Sequence, residues 1–112
     1  MTSAGSSRVW KSYGAVSAAK ASLESYIRQL ALEMAPHGIT ANAILAGVTD
    51  TPALRKIPGN DKMIETATSR NPFGRLTTTD DVGKTLVALS LSNCDFITGN
   101  TIRVDGGENI VE

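Results

Sequence analysis

The sequence has 112 residues, enough for one domain or a piece of one with a modest core. Eleven Lys and Arg balance eleven Asp and Glu, and this zero formal net charge gives no electrostatic basis for binding nucleic acid or an anionic membrane surface. No apolar run is long enough to span a membrane, and the first residues lack the charged and apolar regions of a signal peptide. Cys94 is the sole cysteine, which excludes an internal disulfide and a cysteine-cluster metal site and makes a reducing, cytoplasmic setting the default expectation.

Met1 to Ser7 is small and polar, and reads as the end of a strand running into a loop. A long helical pattern follows, in which Tyr13, Val16, Lys20, Leu23, Ile27, Leu30 and Met34 recur in steps of three and four. Ser12 is positioned to cap this helix, and Pro36-His37-Gly38 supplies its stop. Ile39 to Leu45 reads as a short, largely buried strand that opens into the small and hydroxyl-bearing residues of Ala46 to Pro52. From Pro52 to Arg70 the pattern predicts one or two short helices broken at Pro58-Gly59, followed by a turn at Asn71 to Arg75.

Thr79 is expected to cap a second longer helix, with Asp80 and Asp81 favouring the positive end of its dipole. Val82, Leu86, Leu89 and Ser90 make its expected inner stripe, and Thr101 to Val104 reads as a last strand stopped by Asp105-Gly106-Gly107. Strand end, helix, strand, helices and strand is the order of a doubly wound α/β sheet, and right-handed crossovers make its strands parallel.

One residue breaks the pattern of the long helix. Lys20 occupies a stripe position between Val16 and Leu23, where burying an ammonium is costly unless something pairs with it. Tyr13 lies seven residues earlier, and seven steps of about 100° return to nearly the same face with a rise of about 10 Å. Taken singly, such a tyrosine is a half-buried core residue and such a lysine snorkels to the surface. Taken together, beside a hydroxyl-rich loop, they make an active-site candidate, because an ammonium can lower a phenol pKa toward working pH. His37 reads as a partner for the last helical carbonyls, Trp10 as loop packing and Cys94 as a small buried hydrophobe.

Tyr13-Gly14-Ala15-Val16-Ser17-Ala18-Ala19-Lys20-Ala21-Ser22-Leu23-Glu24 resembles the active-site helix of the short-chain dehydrogenases/reductases. Asn42-Ala43 and Gly47-Val48-Thr49-Asp50-Thr51 resemble that family's asparagine–alanine strand and cofactor-covering loop. Gly74-Arg75-Leu76, Asp81-Val82, Thr98-Gly99 and Val104-Asp105-Gly106-Gly107 follow in the family's order, so the resemblance covers essentially the whole chain. Most of the family places a tyrosine four residues before the lysine, where this chain has Val16, which cannot act as an acid. The spacing from Tyr13 to Lys20, and Asp50-Thr51-Pro52-Ala53-Leu54, instead resemble the enoyl-acyl-carrier-protein reductases. Leu45 and Ala46 depart from the small residue, and the proline or glycine, common before that loop.

The resemblance implies the C-terminal part of a doubly wound, Rossmann-type parallel sheet with flanking helices. Residues 1–112 would then be the catalytic and substrate part, with the dinucleotide-binding half absent, since no strand–glycine–helix turn to seat a pyrophosphate is found in them. It implies reduction by NADH or NADPH of the 2,3 double bond of enoyl thioesters carried on acyl carrier protein or coenzyme A, as in fatty-acid biosynthesis. It assigns Tyr13, Lys20 and Ser3 as catalytic residues, with Ser6 and Ser7 as rivals of Ser3. It assigns Lys20, Gly47, Val48, Thr49 and Thr51 to the cofactor, Pro52 to Arg70 to a substrate lid, and Trp10 alternatively to an acyl pocket. No metal is implied, and a homo-oligomer is, because the family's active-site helix packs against another subunit. The competing readings are a carbonyl (3-oxoacyl) reductase of the same family and an inactive truncated or interaction module.

Overall fold

The computed structural model describes residues 1–111, with Ser92 described by its backbone alone. Two strands, β1 (Ala43–Ala46) and β2 (Thr101–Val104), pair in parallel with Ala43 opposite Thr101 and Ala46 opposite Val104. On the other side of β1 the N-terminal segment joins the same sheet: Thr2 bridges Leu45 in parallel, its N–H donating to the Ile44 carbonyl at 2.8 Å. The central β1 is therefore paired on both edges, and its apolar Ala43, Ile44 and Leu45 are buried, as a covered parallel strand requires. At the outer edge, β2 turns Thr101 and Arg103 to solvent and keeps Ile102 and Val104 half-buried.

β1 starts four residues later than the sequence predicts, and Ile39 is 53% exposed. The reason is Asn42, whose side chain replaces ladder pairing at the strand's entry. Its Oδ1 accepts from the Asn100 N–H at 3.1 Å, and its Nδ2 donates to the Ile97 carbonyl at 2.7 Å.

The long helix α1 (Gly14–Met34) differs from expectation at its start and on its inner face. Ser12 does not cap it: its φ of 65° puts it in the left-handed region, and Tyr13 takes the N-cap position without a side-chain cap. The inward face runs through Tyr13, Ser17, Lys20, Glu24, Ile27, Ala31 and Met34, whereas Val16 is 43% exposed and Leu30 is also exposed. The face is rotated because α1 lies against Met1–Gly5, a segment whose polar backbone and hydroxyls need partners. Ser17, Lys20 and Glu24 supply them. The helix ends as its sequence predicts, in a 3-10 turn (Ala35–His37) closed by Gly38 at φ 68°, a left-handed stop that glycine adopts without strain.

Between the strands lie α2 (Pro52–Arg55) and α3 (Asn60–Arg70), separated at Pro58-Gly59 as the sequence predicts, and then α4 (Thr79–Leu89). The cap of α4 is Thr78, with Thr79 as its first helical residue. Only Thr78 stands three residues before Asp81, the spacing of a capping box. Thr78 Oγ1 accepts from the Asp81 N–H at 3.1 Å, while Asp81 Oδ2 accepts from the Thr78 N–H at 2.8 Å. Arg75 grips the same carboxylate bidentately at 2.7 and 3.0 Å and holds its pKa far below the usual carboxylate range. Thr78→Ala is therefore expected to cost about 1 kcal/mol, read as a lower urea midpoint with an unchanged m-value.

Val82 and Leu89 face inward on α4, but Leu86 and Ser90 are exposed. α4 packs along β2, the last strand of the sheet, which leaves the flank of the helix bearing Leu86 uncovered.

Candidate active site

Met1–Gly5 runs alongside α1 and organises the three residues expected to be catalytic. Thr2 Oγ1 donates to Glu24 Oε1 at 2.6 Å, and Lys20 Nζ donates to the Met1 carbonyl at 3.1 Å. Closer to the start of α1, Ser17 Oγ donates to the Gly5 carbonyl at 2.5 Å, and the Tyr13 ring packs on Gly5. A Cβ at Gly5 would collide with that ring, so this glycine is required by close approach. Trp10 meets Tyr13 edge-on, with centroids 5.5 Å apart and planes at 80°, and so adds a second packing contact to the ring.

Ser3 Oγ is buried without a hydrogen-bond partner among the described residues, so its hydrogen-bonding capacity is unused by the fold. Tyr13, Lys20 and Ser3 thus border one segment, although no hydrogen bond joins them directly among the described residues. Ser6 lies in a short 3-10 turn, and the Ser7 hydroxyl donates back to the Ala4 carbonyl at 3.5 Å, a local role in the loop.

The second half of the site follows β1. Gly47 N–H donates to the Val104 carbonyl at 3.1 Å and continues the ladder past the strand's end. A Cβ at this position would sit 2.5 Å from Thr77 Oγ1, 2.7 Å from Glu108 Oε2 and 3.1 Å from Asp105 Cα, so only glycine fits. Val48 N–H donates to Glu108 Oε2 at 2.9 Å, and Thr49 bridges Thr77 in parallel while its hydroxyl donates to the Gly47 carbonyl at 2.9 Å. Thr51 caps α2, its hydroxyl oxygen accepting from Leu54 N–H at 3.2 Å, which leaves the hydroxyl proton available to another acceptor. Asp50 and Arg55 pair bidentately at 2.7 and 2.6 Å, and Arg55 holds the Asp50 carboxyl below its ordinary value.

The support beneath this loop has no signal in the sequence pattern. Asp105 is buried, accepting from Gly107 N–H at 3.0 Å and from Asn109 Nδ2 at 2.7 Å, while Asn71 Nδ2 donates to its carbonyl at 3.0 Å. Burial raises the Glu108 carboxyl, and the Val48 N–H and the charges of Arg70 and Arg8 oppose that rise. Asp105 reads in sequence as a strand stop, and no pattern singles out Glu108. Only the positive φ values of Gly106 and Gly107, which fold the chain back under the loop, bring both to Gly47. Among the described residues, no helix is long and apolar enough to cross a membrane, and no cluster of His, Cys, Asp and Glu could hold a metal. His37 and Trp10 are exposed and Cys94 is half-buried.

A parallel α/β unit with flanking helices, bearing a tyrosine and a lysine on one face of its long helix, is the class that the fold and site define. The fold is shared with a short-chain dehydrogenase family protein of Francisella tularensis, which is 20% identical and superposes at a TM-score of 0.82 over 97% of this chain and 49% of that one. Residues 1–109 match the enoyl-(acyl carrier protein) reductase family model, and the chain belongs to that family. It is 41% identical over 107 residues to the NADH enoyl-acyl-carrier-protein reductase FabI of Aquifex aeolicus, covering 96% of this chain and 40% of that protein. It is 34% identical to 1-cyclohexenylcarbonyl-CoA reductase of Streptomyces collinus, over 99% of this chain and 40% of that protein. The Bacillus cereus enoyl-acyl carrier protein reductase, solved with NADP+ and indole naphthyridinone, superposes at a TM-score of 0.92 and is 36% identical, over 99% of this chain and 43% of that one. The chain spans about 40% of the length of the curated relatives it matches.

Proposed function

We propose that residues 1–112 are the C-terminal catalytic and substrate part of a Rossmann-type reductase that reduces the 2,3 double bond of enoyl thioesters with NADH or NADPH. The thioester would be carried on acyl carrier protein or coenzyme A, the fatty-acid biosynthetic role in a cytoplasmic setting that the lone Cys94 accords with. The observation that carries this reading is the placement of Tyr13 and Lys20 along one segment with the unpartnered, buried hydroxyl of Ser3. The residues fit the nicotinamide end of a dinucleotide. Thr51 keeps a proton to donate, and Lys20 has donors beyond the one given to Met1. They do not fit its pyrophosphate, which needs a glycine-rich strand–helix turn that residues 1–112 do not contain.

When bound, a nicotinamide would supply the hydride for reduction at the β-carbon of the enoyl thioester. Tyr13 donates its phenolic O–H to the thioester carbonyl, stabilises the enolate that forms as the double bond is lost, and can supply the proton that completes reduction. Lys20 holds the ribose hydroxyls and keeps the site positive, which lowers the cost of that enolate. Ser3 orients the carbonyl or a water. Gly47, Val48, Thr49 and Thr51 would cover the nicotinamide, and α2 and α3 would form the substrate lid.

In the complete reductase, nicotinamide oxidation on addition of a crotonyl thioester tests the reading, and its absence contradicts it. Lys20→Met is expected to raise the Kd for NADH about tenfold or more, because it removes the ammonium assigned to the ribose, while lowering the urea midpoint only by the loss of one hydrogen bond to the Met1 carbonyl, about 1 kcal/mol. Calorimetry with NADH checks the first effect; a collapse of stability at unchanged affinity would make Lys20 structural.

A homo-oligomer accords with the exposure of Tyr26, Leu30 and Leu32 on α1 and with the open side of the Met1–Ser3 segment. The isolated chain is therefore expected to self-associate in light scattering and to bind NADH only very weakly.

A further inference from the structure

Glu108 is a half-buried acid that the proposed chemistry leaves unused. Its Oε2 accepts the Val48 N–H at 2.9 Å and lies where a side chain at residue 47 would have to go. That N–H has a specific need. Gly47 N–H takes the Val104 carbonyl at the end of β2, so the ladder offers no further acceptor, and a half-buried amide left unpaired is costly.

Glu108 is itself held: its own N–H donates to the Asp105 carbonyl at 3.0 Å, and Asp105 is buried with both carboxylate oxygens bonded. The same turn reaches the loop preceding α1, because an Arg8 guanidinium N–H donates to the Asn109 carbonyl at 3.1 Å. One rigid turn thus touches both loops that border the candidate site. Asp105 opposes a charge on Glu108, whereas Arg8 and Arg70 favour it.

We propose that Glu108 is a positioning residue, fixing Gly47–Thr51 in its cofactor-covering form by accepting the Val48 N–H. The assignment of that loop to the nicotinamide rests on the function proposed above; the clasp itself does not. Three variants separate the possibilities. Glu108→Ala removes the acceptor, Glu108→Leu removes it while keeping volume, and Glu108→Gln keeps an acceptor oxygen.

In the 112-residue chain, Val48 amide exchange is expected to accelerate about tenfold or more in the Ala and Leu variants and to stay near the native rate in the Gln variant. In the complete reductase, the Ala and Leu variants are expected to raise KM for NADH about tenfold with kcat within about twofold, and Gln to rescue it. Unchanged Val48 exchange in a folded Ala or Leu variant overturns the clasp. Accelerated exchange with an unchanged KM overturns the positioning role. Accelerated exchange in a protein whose native form never oxidises NADH or NADPH supports the clasp and refutes the functional reading alone.

Discussion

Tyr13→Phe in the complete reductase is expected to lower kcat about a hundredfold or more, the scale of deleting a single oxyanion-stabilising donor, while stability changes by less than about 1 kcal/mol. The two effects separate because the ring and the hydroxyl have different roles. The ring packs on Gly5 and edge-on against Trp10, contacts that phenylalanine reproduces. Among the described residues the hydroxyl contributes no hydrogen bond to the fold, so its loss is felt only by a ligand. Val16, at the position four residues before Lys20, is 43% exposed, and Val16→Ala is expected to leave turnover near the native value. A crippled Val16 variant beside an active Tyr13→Phe enzyme would reverse the assignment. Steady-state kinetics paired with urea melts of both variants decides it.

Gly47→Ala is expected to destabilise the fold by about 1–3 kcal/mol. Two of the groups a Cβ would meet belong to side chains that could rotate, Glu108 only by releasing the Val48 N–H and Thr77 only by giving up its bond to the Val104 carbonyl. The third is the Asp105 α-carbon, 3.1 Å from the added atom, and backbone anchored by Asn71 and Asn109 cannot yield cheaply. The urea midpoint should fall with an unchanged m-value, and NADH affinity should fall with it. A native-like midpoint would mean that the loop and the C-terminal turn are not packed as described.

The elements were legible in the sequence where one local signal sufficed. The helix stop at Gly38, the break at Pro58-Gly59 and the strand Thr101–Val104 each follow from residues within a few positions of one another. The misassignments occur where a tertiary partner decides. Ser12 has the composition of a cap, but the chain enters α1 through a left-handed residue so that Tyr13 can reach Gly5. The apolar stripe through Val16 and Leu30 loses to a polar face because the neighbour of α1 is a backbone segment rather than a core. Thr79 loses the cap to Thr78 through the reciprocal reach of Asp81.

The candidate site was legible as the Tyr13–Lys20 spacing and the glycine–hydroxyl loop. The support under that loop was not. Asn71, Thr77, Asp105 and Glu108 have no common period, and the two left-handed glycines bring Asp105 and Glu108 beneath it. The geometry around Gly47 makes that support visible only in three dimensions.

The central claim is that a tyrosine placed seven residues before Lys20, with a valine at the position four before it, serves an enoyl thioester rather than a ketone. The most direct measurement is kcat/KM of the complete reductase on crotonyl and acetoacetyl thioesters, with NADH or NADPH as reductant. The account predicts that crotonyl is preferred by about a hundredfold or more, and that Tyr13→Phe removes most of that activity. Preferred reduction of acetoacetyl thioester, with crotonyl thioester left untouched, would contradict it.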